Sequence, residues 1–121
     1  MLLVDAANVI GSRPTGWWRD RPGAARDFVE RVRAATREER LAAPVVIVLE
    51  GAARGGADEG EADGVEVVHA HGEGDDTLAA RVRDASGPVV LVSADRGLRR
   101  RVERPDVEAV GPSWLLDRLD G

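Results

Sequence analysis

Residues 1–10 read MLLVDAANVI, a short apolar run that ends at Asp5 and is followed by Asn8. Further short runs rich in valine lie at residues 45–49, 65–68, 89–92 and 107–110. Strands that are almost entirely apolar are typical of a parallel sheet covered on both faces. The sequence therefore predicts an α/β fold whose first strand, residues 2–4, ends at polar side chains.

Helical patterns separate most of these runs. Apolar residues recur at helical spacing at positions 24, 28, 32 and 35, after the start signals Asp20 and Pro22. Further helices are predicted after Asp75, from near Asp95, and over residues 113–119. Residues 51–64 have no apolar side chain larger than alanine, and we expect a mobile loop there.

The composition limits the chemistry that the chain can perform. It has 121 residues, with 17 arginines, no lysine, 22 acidic residues and a formal net charge of −5. This length fits one domain over residues 1–121. Without cysteine there are no disulfides, hence no disulfide-linked partner, and no thiolate nucleophiles. Without lysine, Schiff-base chemistry and a P-loop lysine are excluded.

No targeting or membrane segment is expected. The first ten residues lack a basic start, and Asp5 interrupts their apolar run. The longest aliphatic run, residues 45–49, is far shorter than the roughly 20 residues that a membrane-spanning helix needs. We therefore expect a cytoplasmic protein that does not contact a membrane.

Acidic side chains follow four of the predicted strands. They are Asp5, Glu50, Asp75 and Asp95. Ligands of open parallel sheets bind beyond the carboxyl ends of the strands, and clustered carboxylates favour hard cations such as Mg²⁺ or Mn²⁺. Taken singly, each residue has a structural interpretation, since aspartates cap helices and stabilise their N-termini, and Asn8 suits a turn. Their convergence from separate segments favours a binding site.

Three motifs carry a resemblance to a known family. DAANVI at 5–10, GDDTL at 74–78 and SADRGLR at 93–99, followed by GPSWLLD at 111–117, resemble the NYN branch of the PIN-like nuclease superfamily. The similarity is strongest to its YacP-like members and covers essentially the whole chain. It implies a three-layer α/β/α sandwich with a mostly parallel five-stranded sheet in the order 3-2-1-4-5.

The resemblance also implies a function, that of a metal-dependent endoribonuclease that hydrolyses RNA phosphodiester bonds. Asp5, Asp75 and Asp95 would bind Mg²⁺ or Mn²⁺. Asn8 would orient groups or contact substrate, and Asp76 would bind or support the metal. Some NYN nucleases have another acid where this chain has Arg99, so that the metal shell is smaller or Glu50 and Glu73 contribute.

An acidic site needs basic side chains beside it to hold RNA. The candidates are Arg13, Arg19 and Trp17 in the segment after the first strand, and Arg96, Arg99 and Arg100 directly after Asp95. Arginine and tryptophan can grip phosphate and stack on unpaired bases. The structural interpretations are a tryptophan packed on the core and an arginine run that forms only a solvated helix face.

One other function stays open, that of a catalytically weak or inactive PIN-like module that binds RNA or a protein. It also stays open whether the ribosome or another protein is a partner, and which oligomeric state the chain adopts. Other phosphoryl enzymes fit less well, because haloacid dehalogenase-type phosphatases need an aspartate where this chain has Ala7. Receiver domains need a lysine, which this chain lacks.

Overall fold

Six strands form one sheet in the computed structural model, which describes residues 1–120. The strands are β1 (Leu2–Asp5), β2 (Val45–Leu49), β3 (Gly60–Ala62), β4 (Val65–His69), β5 (Val89–Val92) and β6 (Val107–Val110). Their order across the sheet is β3-β4-β2-β1-β5-β6. All neighbouring pairs are parallel except β3 and β4, which are antiparallel.

Four α-helices lie between strands and a fifth follows β6 within residues 1–120. They are α1 (Ala6–Ile10), α2 (Arg21–Arg37), α3 (Gly74–Asp84), α4 (Arg96–Arg101) and α5 (Pro112–Asp120). The predicted start of α2 is confirmed, since the Gly23 N–H donates to the Asp20 carboxylate at 3.0 Å and Pro22 lies in the first turn. The spacing of Arg96, Arg100 and Arg104 predicts that they share one helix face, but α4 ends at Arg101, so this prediction is wrong for Arg104.

Alternation along the strands builds a core on each face of the sheet. In β1, Leu2 and Val4 belong to a cluster with residues of α2 and α5. Leu3 belongs to a second cluster with residues of α3 and α4. The chain therefore forms three layers, as predicted. No helix within residues 1–120 is long and apolar enough to cross a membrane.

The five predicted strands occur in the predicted order, but the strand count is wrong. The sixth strand, β3, extends the sheet beyond β4 and makes it mixed. It lies in the segment 51–64, so the expectation of a mobile loop there is also wrong. This segment begins with a 3-10 turn, Gly51–Gly56, that packs against α2.

The packing on α2 explains why this segment has such small side chains. A Cβ atom on Gly56 would lie 2.8 Å from the Cβ of Ala25, closer than van der Waals contact allows. The absence of large apolar residues here reflects a close approach of backbone to helix rather than mobility.

Candidate active site

The sheet places Asp5 beside Ser93. β1 and β5 are parallel neighbours with Val4 opposite Val92, so both chains leave the sheet at the same point of its carboxyl edge. The Ser93 hydroxyl donates to Asp5 Oδ2 at 2.9 Å and accepts from the Asp95 N–H at 3.1 Å. Ser93 is fully buried. This serine therefore ties the carboxylate that ends β1 to the turn that carries Asp95.

Asp5 and Asp95 both cap short helices. Asp5 Oδ1 accepts from the Asn8 N–H at 3.3 Å, and Asp95 Oδ1 accepts from the Leu98 N–H at 2.9 Å. The Ala94 N–H donates to Asn8 Oδ1 at 2.8 Å, so Asn8 fastens α1 to the turn after β5. The structural interpretation of Asp95 as a cap thus describes its geometry, and these contacts also hold both carboxylates at one edge.

Glu50 connects the end of β2 to the start of α3. Its Oε2 accepts from the Gly74 N–H at 3.0 Å. Gly74 is the first residue of α3 and precedes Asp75. Glu73, at the N-cap position of α3, makes no side-chain cap hydrogen bond. The hydrogen bond between Gly74 and Glu50 holds the start of α3, and with it Asp75, beside the end of β2.

Electrostatics show that these carboxylates share one environment. Burial raises the pKa of Asp5, and the charges of Asp75 and Glu50 raise it further, against the hydrogen bonds from Ser93 and the Asn8 N–H. Partial burial likewise raises the pKa of Asp75. Asp95 and Glu50 add to this rise, whereas the nearby Arg101 opposes it. The charges of Glu50 and Asp75 thus act on Asp5, and those of Glu50 and Asp95 act on Asp75.

Asp76 does not join this group. Its carboxylate accepts from Arg101 at 2.9 Å, and its side chain is 76% exposed. Adjacent helical residues point about 100° apart, so only one of the two aspartates in the first turn of α3 can face the edge. In this structure Asp75 is the one that couples to the other acids.

The acids are not yet arranged as a closed metal shell. Within the described residues, no three carboxylate or imidazole groups lie close enough together to hold a metal ion. Like charges repel, and helix N-termini hold one oxygen each of Asp5 and Asp95. The donor set nevertheless consists of carboxylate oxygens, the ligands that Mg²⁺ and Mn²⁺ prefer.

The predicted RNA-binding side chains fall into two regions. Trp17 is half-buried, in a 3-10 turn (Trp17–Arg19), with Arg21 lying 5.4 Å from its ring centre. Trp18 is 50% exposed, packs edge-on against Trp17, and carries Arg19 over its ring. Arg13 and Trp17 both line a cavity of about 420 Å³.

The second region lies on and after α4. Arg96 and Arg100 are exposed. Arg99 is partly buried, and its Nε donates to the Ser93 carbonyl at 2.6 Å. Arg99 therefore fastens α4 to the edge, whereas Arg96 and Arg100 extend toward solvent beside it.

Ser93 and Arg101 make contacts that their sequence positions only partly indicate. Ser93 directly follows the apolar run 89–92, which predicts a polar residue at the edge, but its hydrogen bonds to Asp5 and the Asp95 N–H depend on the pairing of β1 with β5. Arg101 belongs to the arginine run after Asp95, but its contact with Asp76 joins two helices that are distant in sequence.

We compared this order of strands and helices with solved structures. The chain is similar to a crystal structure of a mutant of Rae1 (YacP) from Bacillus subtilis, with a TM-score of 0.72. The predicted likeness in fold to YacP is confirmed. The match to Rae1 covers 98% of this chain and 74% of that chain at 17% sequence identity. No protein-family model matches the sequence, and no curated protein matches it either.

Proposed function

We propose that the chain is a metal-dependent endoribonuclease that hydrolyses RNA phosphodiester bonds at the carboxyl edge of its sheet. The observation that carries the proposal is the placement of Asp5, Asp95 and Glu50 at that edge by hydrogen bonds, with Asp75 next to Gly74, whose N–H donates to Glu50. A buried carboxylate beside other carboxylates costs folding free energy unless a cation compensates it. The likeness in fold to Rae1 (YacP) supports the same reading.

Asp5, Asp75 and Asp95 are the proposed ligands of Mg²⁺ or Mn²⁺. Such an ion, when bound, lowers the pKa of a coordinated water and neutralises charge on the reacting phosphate. Ser93 and Asn8 hold Asp5 and the Asp95 turn in register, and Glu50 sets the position of Asp75. To bind one ion together, these three aspartates must lie closer to one another than they do in this structure.

The basic residues are proposed to hold the RNA backbone. Arg96 and Arg100 are exposed on the helix that Asp95 caps, so they lie beside the acidic edge. Arg13 and Arg19 flank the tryptophans on the segment after α1. Separate basic groups are needed because the carboxylates repel a polyanion.

One observation favours a second candidate, a catalytically weak module that binds RNA or a protein. In the part of the chain that the structure describes, the acids do not form a ready metal shell, and Asp5 and Asp95 act as helix caps. This candidate predicts RNA or protein binding with little or no turnover.

RNA cleavage distinguishes the two candidates. End-labelled single-stranded and hairpin RNAs are incubated with the protein in Mg²⁺, Mn²⁺ or EDTA, and the cleavage rate is measured. Asp5→Asn and Asp95→Asn are suitable variants because asparagine caps helices about as well as aspartate. Asp84→Asn serves as the matched control, since this aspartate lies at the other end of α3 with a side chain that is 71% exposed.

The nuclease proposal predicts cleavage that stops in EDTA, falls at least about a hundredfold in Asp5→Asn and Asp95→Asn, and stays unchanged in Asp84→Asn. Cleavage that survives both site substitutions does not depend on this edge and contradicts the proposal. RNA binding without cleavage in either metal supports the second candidate.

A further inference from the structure

A cavity of about 360 Å³ opens beside the acidic edge and shares Glu50 and Trp17 with the residues described so far. Its apolar walls come from α1, the 3-10 turn Trp17–Arg19 and the 3-10 turn Gly51–Gly56. Its polar end, beside Gly74, carries the carboxylates of Glu50 and Glu73. Among its lining residues are Ala7, Ile10, Trp17, Ala53, Glu50 and Glu73. Its volume lies within the range of pockets that enclose small organic groups.

The walls of this cavity suit a flat aromatic ring. Trp17 contributes an indole, and the Arg21 guanidinium lies 5.4 Å from the indole centre and also lines the cavity. Aromatic rings and guanidinium planes are the side chains on which unpaired bases stack. The remaining wall residues include alanines and glycines, which leave room for a ring to slide in.

The polar end favours one class of base. Glu50 and Glu73 carry carboxylates, which accept hydrogen bonds and donate none when ionised. Adenine, cytosine and guanine each present an exocyclic amino group with two donor hydrogens, whereas the one base-edge donor of uracil, N3–H, lies between two carbonyl oxygens that repel a carboxylate. A stacked base that carries an amino group therefore complements both the walls and the end of the cavity.

Glu50 links this cavity to the acidic edge. It lines the cavity and also accepts from the N–H of Gly74, the residue before Asp75. A nucleotide whose phosphate lies at the carboxylates can thus place its base, or that of its neighbour, in the cavity. We propose that this cavity binds one unstacked amino-bearing base of the RNA strand and so sets where the strand is cut. This inference rests on the nuclease function proposed above.

Binding is tested without catalysis. Fluorescein-labelled oligouridines that carry one central A, C, G or U are titrated with the whole protein in EDTA at low salt. We expect the three amino-bearing oligonucleotides to bind more tightly than oligouridine. Trp17→Ala should weaken their binding about tenfold and remove the preference. Trp17→Phe should retain it, and Trp18→Ala is the matched control outside the cavity.

A preference that is equal in Trp17→Ala and wild type, or absent from the wild type, overturns the inference. Loss of folding in Trp17→Ala does not decide the matter, because Trp17→Phe and Glu73→Gln test the same cavity. Glu73→Gln should reduce the preference for amino-bearing bases, since an amide also offers a donor.

The same oligonucleotides in Mn²⁺ separate this inference from the nuclease proposal. Cleavage at a fixed distance from the single A, C or G in wild type and in Trp17→Phe, and at scattered positions in Trp17→Ala, supports both. Cleavage without base preference in wild type overturns the cavity assignment alone. A base preference in binding without any cleavage overturns the nuclease proposal and leaves a base-binding site.

Discussion

Two regions of the carboxyl edge use opposite kinds of residue. At the centre, where β1 and β5 end, Asp5 and Ser93 are buried polar groups that hydrogen-bond to each other. At the flank, residues 51–64 between β2 and β4, glycines and alanines allow the backbone to pack on α2. The centre buries charge at a cost in folding free energy, as expected for a site built to bind an ion. The flank packs on α2, and its first turn also lines the cavity proposed to bind a base.

The largest effect should be a difference in cleavage rate between variants of two neighbouring residues, Asp75 and Asp76, in the first turn of α3. Asp75→Asn should lower the RNA cleavage rate at least about a hundredfold, because Asp75 couples to the other acids of the edge. Asp76→Asn should change it by less than about tenfold, because Asp76 pairs with Arg101 and is mostly exposed. Both rates are measured in Mn²⁺ on one labelled RNA. Equal losses would show that both aspartates act in the site.

Removing the hydroxyl of Ser93 should have the next largest effect. Ser93→Ala leaves Asp5 Oδ2 and the Asp95 N–H without their partner, so Mn²⁺ affinity should fall about tenfold to a hundredfold. Ser93→Thr restores the hydroxyl and should recover most of the affinity. Calorimetric titration with Mn²⁺ measures both variants. A Ser93→Ala protein that binds Mn²⁺ as the wild type does would remove Ser93 from this role.

At the flank, the effect should be on stability alone. Gly56→Ala should lower the free energy of unfolding by about 1–3 kcal/mol, because its Cβ would come within 2.8 Å of Ala25. Gly55→Ala is the matched control, since its Cβ would meet Pro22 at an ordinary 3.6 Å. Urea denaturation compares the two variants. Equal stability of the two would mean that the flank is not tightly packed on α2.

The smallest effect is a pH-dependent change in Tm. Because the pKa of Asp5 is raised in the folded state, wild type loses stability as pH rises from the unfolded value of about 3.9 through the raised folded value. Asp5→Asn lacks this loss. In EDTA the Tm of Asp5→Asn minus that of wild type should therefore increase by a few degrees between pH 4 and pH 7. A difference that shrinks over this range contradicts the cost assigned to the buried carboxylate.

The sequence predicts the central strands because their apolar runs are buried on both faces, which leaves a continuous hydrophobic signal. It also predicts the acids of the edge, since Asp5 and Asp95 directly follow such runs. It does not predict β3, whose residues GEA are exposed and become a strand only by pairing with β4. Small residues at the flank were mistaken for a loop because composition does not reveal a close backbone approach.

Side-chain roles at the edge depend on contacts that the sequence does not encode locally. Which of Asp75 and Asp76 faces the other acids depends on how α3 is rotated against the sheet. Arg99 looks like its neighbours in the arginine run, yet its Nε is taken up by the Ser93 carbonyl. Such differences follow from tertiary packing rather than from spacing.

The most direct test compares Mn²⁺ binding with Mn²⁺ activation. Calorimetry gives the Kd for Mn²⁺, and cleavage of a labelled RNA gives the Mn²⁺ concentration for half-maximal rate, in wild type and in Asp95→Asn. We expect the two values to agree in wild type and both to weaken together in Asp95→Asn. RNA cleavage that needs no divalent ion, or that keeps its Mn²⁺ dependence when Asp95 is replaced, would contradict a metal-dependent nuclease site at this edge.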